Sequence, residues 1–249
     1  MFGICLLPLI PLREQPTSKS EMVSQVLFGE KYKVLHQQAD WIKIETFDDH
    51  YTGWISEGQY DTISEQELHN LTNVSIVKSY PQLSVQINGT NMLVPAGSCI
   101  YGHQSFTIAN QHFQLDYKET FLPFIDIAKQ FLNTTYLWGG RTAWGIDCSG
   151  FTQSVFKQYG FLLKRDAYQQ AEQGQTLAFL SEAKLGDLAF FDNEEGRITH
   201  VGILLDNETI IHASGKVRID KIDNFGIINN ESKKYSHKLR LIKRIMEVL

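Results

Sequence analysis

The spacing of apolar residues changes once along this 249-residue chain, and that change sets the class of fold it can adopt. Up to about residue 115 the apolar residues come in short runs, Val26-Leu27-Phe28, Lys31-Tyr32-Lys33-Val34-Leu35 and Trp41-Ile42-Lys43-Ile44, separated by polar turns. Such runs read as strands. Ile42 and Ile44 alternate with Trp41, Lys43 and Glu45, the pattern of a half-buried strand. After Tyr117 the period lengthens. Phe121, Leu122, Phe124, Ile125, Ile127, Ala128, Phe131 and Leu132 predict a helix over about 120–132, with Pro123 in its opening turn. A second helix is expected to follow Cys148, carrying Phe151, Val155, Phe156 and Tyr159 on one face and stopping at Gly160. Strands return at Leu188–Phe191, Val201–Leu205, Thr209–Ile211 and Leu239–Ile242. Helices followed by an antiparallel sheet, all behind a β-rich front half, predict an α+β chain.

Composition narrows the partners. A hydrophobic fraction of 43% with 20% charged residues is ample for buried cores, and a net charge of −5 argues against nucleic acid, whose binders carry a basic excess. Cys5, Cys99 and Cys148 are too few and too odd in number for a disulfide framework. The opening run Met1–Leu12 is apolar but holds two prolines and lacks a basic leader, so a first strand is expected there rather than a signal peptide. No run reaches the roughly 18 apolar residues that span a bilayer, so no membrane partner and a cytoplasmic location are expected.

The front half carries a first resemblance. Glu21-Met22-Val23-Ser24-Gln25, Phe28-Gly29-Glu30, Trp41 and Gly53-Trp54-Ile55 are similar to a bacterial SH3-like barrel. The stretch from Val74 to Leu115, with a hairpin signal at Asn88-Gly89, is expected to form a second, degenerate barrel. The expected units are therefore 1–64, 68–116 and a third from 118 to 249.

Chemistry concentrates in that third unit. Cys148 stands between Asp147 and Ser149 directly before an amphipathic run, which puts its sulfur at a helix N-terminus and favours thiolate. A lone cysteine is more often a small buried hydrophobe, the reading that Cys5 and Cys99 keep. His200 and His212 flank an apolar strand pair around Asp206-Asn207, and their residue numbers sum to 412. A hairpin centred on residue 206 sets them directly opposite, whereas a two-residue loop at Asp206-Asn207 throws them onto opposite faces. On one face, His212 is able to fix the tautomer of His200 and leave its other nitrogen for Cys148, the arrangement of nucleophile, base and orienter. A zinc site built from one cysteine and two histidines is the rival, although neither CxxC nor HExxH spacing occurs.

Five blocks then carry a specific resemblance: Tyr136-Leu137-Trp138-Gly139-Gly140, Asp147-Cys148-Ser149-Gly150-Phe151, Leu185-Gly186-Asp187-Leu188, Thr199-His200-Val201-Gly202-Ile203 and Ile211-His212-Ala213-Ser214. In this order they resemble the NlpC-type cell-wall peptidases. The resemblance implies a papain-like core, a catalytic triad of Cys148, His200 and His212, and no metal or cofactor. With SH3-like units in front, it also implies a subgroup that cuts the γ-D-glutamyl bond to a diamino acid in murein tripeptides or longer stem peptides with a free N-terminal L-alanine. Such an ammonium needs buried acceptors. The candidates are Tyr136, Asp147 and Ser149, joined in the subgroup by a glutamate and a tyrosine matched here to Glu21 and Tyr51. Asp147 and Ser149 are equally suited to capping the helix, and Tyr51 to packing in a turn. Tyr136 is further expected to polarise the scissile carbonyl with the N–H of Cys148. Ala167 departs from the serine of many relatives. The alternatives are another wall amidase or endopeptidase with the same triad, and an inactive wall-binding module.

Overall fold

A computed structural model describes residues 1–247 apart from 73, 79 and 119. The chain forms two compact units, one of residues 1–121 with 138–143 and one of residues 122–137 with 144–249.

The first unit is built almost wholly of strands. β1 (Phe2–Ile4), β2 (Leu9–Arg13), β3 (Met22–Leu27), β4 (Lys31–Gln38), β5 (Trp41–Thr46), β6 (Thr52–Ser56) and β7 (Asp61–Ile63) form one sheet in the order β3-β2-β6-β5-β4-β1-β7. The alternation read in β5 is what the strand does: Ile42 and Ile44 are buried against Ile10, Leu12, Val26 and Ile55, while Trp41, Lys43 and Glu45 are half-buried. A short helix α1 (Glu65–Asn70) follows, opened by a reciprocal cap between Ser64 and Glu67. β8 (Ser75–Ile76) pairs with β11 (Cys99–Ile100), and β9 (Gln82–Ile87), β10 (Thr90–Pro95), β12 (Ser105–Ile108) and β13 (Gln111–Leu115) make a four-stranded sheet. The β9–β10 hairpin turns at Asn88 and Gly89, with φ of 50° and 77°, the paired positive angles that the dipeptide favours. Phe28, in the turn after β3, meets Phe113 edge-on at 5.3 Å, inside a cluster that also takes Ile4, Val85 and Ile100.

The second unit puts helices first. α2 is shorter than the periodicity predicts, Phe124–Gln130 instead of 120–132. Proline disfavours helical backbone in the residue before it, so the helix begins only after Pro123, and Phe121 is left 75% exposed. In chain order β14 (Arg141–Thr142), which belongs to the first unit, and β15 (Gly145–Ile146) precede α3 (Cys148–Tyr159). Gly160 ends α3 at φ 101°, and the N–H of Phe161 returns to the carbonyl of Phe156 at 2.9 Å. After α4 (Ala167–Gln170), β16 (Gln175–Leu177), β17 (Leu188–Asp192), β18 (Ile198–Leu204), β19 (Thr209–Ser214), β20 (Lys216–Ile222), β21 (Gly226–Ile228) and β22 (Tyr235–Arg244) form the sheet β16-β22-β17-β18-β19-β20-β21. β22 also pairs with β21, so six strands close into a barrel with β16 on its flank. Ala189, Phe191, Leu204, Ile210, Ile222, Ile227 and Ile242 share one of its buried clusters. Asp187 locks the start of β17 by accepting from Arg244 at 2.8 and 2.7 Å. α3 packs on β18 and β19, with α2 behind it through the edge-on pair of Phe124 and Phe156. The chain is thus α+β with its all-β part in front.

Candidate active site

α3 presents Cys148 in its first turn because Asp147 caps the helix, its Oδ1 accepting the N–H of Gly150 at 2.6 Å. The cysteine is only 6% exposed. Its Sγ lies 4.0 Å from the carbonyl oxygen of Thr199 and receives the backbone N–H of Val201, so the sulfur sits against both chain neighbours of His200.

The expected thiolate does not follow from this placement. Burial pushes the Cys148 thiol up to about 12, the Asp147 carboxylate adds to the rise, and the N–H groups of Val201 and Ser149 with the Arg165 guanidinium offset only part of it. A helix N-terminus stabilises a thiolate that water also solvates, and here desolvation outweighs it. His200 is held well below the usual imidazole range by burial, then by His212 and His237. Both shifts favour the neutral forms, a thiol for Cys148 and an imidazole for His200.

The histidines share a face in a register that differs from the expected one. β18 and β19 pair Gly202 with His212, Ile203 with Ile211 and Leu204 with Ile210, so partners sum to 414 rather than 412. Leu205 and Thr209 close the loop through a 2.9 Å bond, because Asp206 accepts the N–H groups of Glu208 and Thr209 and centres the turn on residue 207. His200 therefore lies two residues along the face from the position opposite His212, and the rings meet across the diagonal.

A chain of bonds runs back from His200. His200 Nε2 and His212 Nδ1 are 2.8 Å apart, and His212 Nε2 is 3.1 Å from Asp220 Oδ2. Arg218 donates to both oxygens of Asp220, at 2.7 and 3.1 Å, and the N–H of Asn230 donates at 2.8 Å. Burial alone would raise the Asp220 carboxyl, but the bonds from His212, Asn230 and Arg218 hold it well below the carboxylate range. An ionised Asp220 accepts from His212 Nε2, which leaves Nδ1 to face His200. His212 then accepts at Nδ1, His200 donates from Nε2, and the lone pair of His200 lies on Nδ1.

The other predicted residues fall into two groups. Tyr136 is half-buried, tied by its N–H to the carbonyl of Gly215 at 3.0 Å, and its phenol is raised by burial and then by the charges of Cys148 and Asp147, so it stays a donor near the sulfur. Asp147 and Ser149 are taken up inside the unit: Arg165, itself 1% exposed, donates to both oxygens of Asp147 and to Ser149 Oγ at 2.9 Å. Glu21 and Tyr51 belong to the first unit. Glu21 is exposed and accepts from the indole N–H of Trp138, while half-buried Tyr51 packs by its ring on the core of Ile42 and Ile44.

Among the described residues, His200, His212 and His237 each offer a ring nitrogen within 4.8 Å of the others, the one grouping able to approach a metal ion. Both nitrogens of His212 already have partners, and His237 lies nearly parallel to His200, 4.0 Å away with 20° between the planes. In-plane lone pairs of stacked rings do not converge on one ion.

Comparison with known proteins assigns two parts of the chain. Residues 133–236 match the NlpC/P60 family, and residues 9–60 match the bacterial SH3 domain. The chain carries an NlpC/P60 domain. Residues 133–236 carry the cysteine peptidase domain of that family, and residues 9–60 a bacterial SH3 domain in front of it. The gamma-D-glutamyl-L-lysine dipeptidyl-peptidase of Bacillus subtilis is 29% identical over 214 residues, which cover 76% of this chain and 71% of that protein. The protein of the same name from Bacillus cereus is 24% identical, over 79% of this chain and 68% of its own length. The crystal structure of an NlpC/P60 family protein from Bacillus cereus superposes with a TM-score of 0.81 at 20% identity, over 99% of this chain and 100% of that one. That likeness shows a shared fold.

Three features of the NlpC/P60 domain escaped the sequence reading. Arg218 and Asp220 are two apart and so share one face of any strand, a legible signal for an ion pair behind His212. Arg165 is 1% exposed, and no local pattern announces that it is buried. His237 comes from β22, and nothing near it in the sequence marks it.

Proposed function

We propose that this chain hydrolyses the bond between γ-D-glutamate and the L-diamino acid, lysine or diaminopimelate, in murein-derived peptides with a free N-terminal L-alanine, as a cytoplasmic step of cell-wall recycling. The observation that carries the reading is the sulfur of Cys148 lodged against the backbone on either side of His200, with His200 bonded to His212 at 2.8 Å. The activity named for the two Bacillus relatives supports the bond, and the paired bacterial SH3 and NlpC/P60 domains support the subgroup. The front region is read as two SH3-like units, 1–64 and 68–116, before a peptidase unit of 118–249.

In the proposed reaction Cys148 is the nucleophile. Its proton passes to Nδ1 of His200 as sulfur bonds the γ-carbonyl carbon, and the imidazolium gives that proton to the departing amine. His200 then removes a proton from water, which attacks the thioester and releases L-Ala-D-Glu. His212, backed by Asp220, orients His200. Tyr136 and the N–H of Cys148 are the donors for the developing oxyanion.

Asp147 and Ser149 are assigned to the substrate amine by resemblance, yet their bonds to Arg165 compensate the Asp147 charge and engage the Ser149 hydroxyl. This favours, as a second reading, a wall endopeptidase or amidase that uses the same triad without regard to a free amine. Glu21 and Tyr51 enter by resemblance alone, and Glu21→Gln or Tyr51→Phe is expected to raise KM for the free tripeptide more than it lowers kcat. The deciding test compares L-alanyl-γ-D-glutamyl-L-lysine with its N-acetylated form. Cleavage of the free peptide with resistance of the acetylated one supports the proposal, and equal turnover of both overturns the free-amine specificity in favour of the second reading.

A further inference from the structure

His200 lies among other rings. His237 stacks on it at 4.0 Å with 20° between planes, His212 stands edge-on at 5.1 Å and 83°, and Phe191 leans on it at 5.7 Å. Phe191 and His212 also touch His237, at 5.9 and 5.8 Å, so the four rings brace one another. β22 delivers His237 to this place because its first half pairs with β21, Ile227 opposite His237, before it crosses to β17 through an irregularity at Phe190 and Phe191.

We propose that His237 is a positioning residue for His200, its ring covering one face of the imidazole so that the plane that puts Nε2 on His212 is held and water is kept from that face. The terminal torsion of a histidine is broad and roughly two-fold, so a single hydrogen bond to Nε2 leaves the ring free to swing about that contact. A parallel neighbour removes the freedom. The titratable and charged groups around His200 are Cys148 from α3, its sulfur against Thr199 and Val201 and with the cap residue Asp147 acting on it, His212 from β19 with Asp220 and Arg218 behind it, and His237 from β22; Asp192, at the end of β17, is turned to Arg240 at 3.7 Å. Burial pushes His237 itself down to about 4, so the stack is neutral on neutral at working pH. The same covering contributes to the low basicity of His200.

The inference rests on His200 as the base, and its test keeps the two apart. His237→Ala and His237→Phe are purified at wild-type melting behaviour or corrected for folded fraction, and kcat, KM and the NMR titration of the His200 ring are measured. His237→Ala is expected to lose about tenfold in kcat with KM within about twofold, and to move the His200 titration up toward 6.5. His237→Phe, which keeps a flat ring, is expected to recover at least fivefold over the alanine variant. A His237→Ala enzyme with kcat and His200 titration unchanged would overturn the proposal, as would a phenylalanine variant no better than alanine. The NMR titration reads the ring contact whatever substrate the enzyme takes. Loss of the proposed role of His200 itself would appear instead as a His200→Ala variant with full activity.

Discussion

Gly202 stands directly across the strand pair from His212, and the missing side chain is what lets that imidazole lie back toward His200. A Cβ at Gly202 would come within 2.8 Å of the Cβ of His212 and of Ile210 Cδ1. The first of these atoms sits next to backbone and has little room to yield. Gly202→Ala is therefore expected to cost about 1–3 kcal/mol of stability by overpacking. Because the displaced residue orients His200, it should also lose at least tenfold in kcat. Denaturant unfolding with steady-state kinetics checks both, and full activity in the alanine variant would remove the need for the glycine.

The resting state of the nucleophile is open to direct chemistry. With burial holding the Cys148 thiol near 12, alkylation by iodoacetamide should be slow at pH 7 and rise about tenfold per unit across pH 7–10. Peptide mapping separates Cys148 from Cys5 and Cys99, which are also buried free thiols. Rapid, pH-independent alkylation of Cys148 from pH 5 to 8 would mean a preformed ion pair with His200.

Acid should weaken the fold before carboxylates titrate. His200 and His237 are bases whose folded values lie below the unfolded value of about 6.5, so the unfolded chain binds more protons below that pH. Their contribution is complete above about 6.5 and is lost as pH falls toward 4 and beyond. Asp220, held low in the fold, is lost only below its unfolded value of about 3.9. Urea unfolding between pH 7 and 4 should show the decline, with a shallower slope in His237→Phe.

How much of this was legible in the sequence varies with the range of the interaction. The helix after Cys148 was readable from Phe151, Val155, Phe156 and Gly160, because capping and apolar spacing are local. Whether His200 and His212 share a face hung on the loop length, which the sequence left open, since it turned on which residues Asp206 would bind. The sulfur's surroundings were hidden for a similar reason: helix position is written in the sequence, and the burial that raises the thiol comes from tertiary packing. Arg165 and His237 reach the site only through tertiary packing.

Arg165 shows the energetic side of that packing. Its guanidinium and the Asp147 carboxylate are both nearly inaccessible, so removing one leaves the other buried and unpaired. Arg165→Met should destabilise by about 3–5 kcal/mol. Arg165→Met with Asp147→Asn should recover part of that loss. Chemical denaturation of the two variants tests the pair, and a neutral Arg165→Met would show that the interaction contributes little.

The role given to Cys148 is tested most directly by turnover of L-alanyl-γ-D-glutamyl-L-lysine by Cys148→Ala protein with wild-type thermal unfolding. No release of lysine above the uncatalysed background is the result expected of a sulfur nucleophile. Release at the wild-type rate would contradict it.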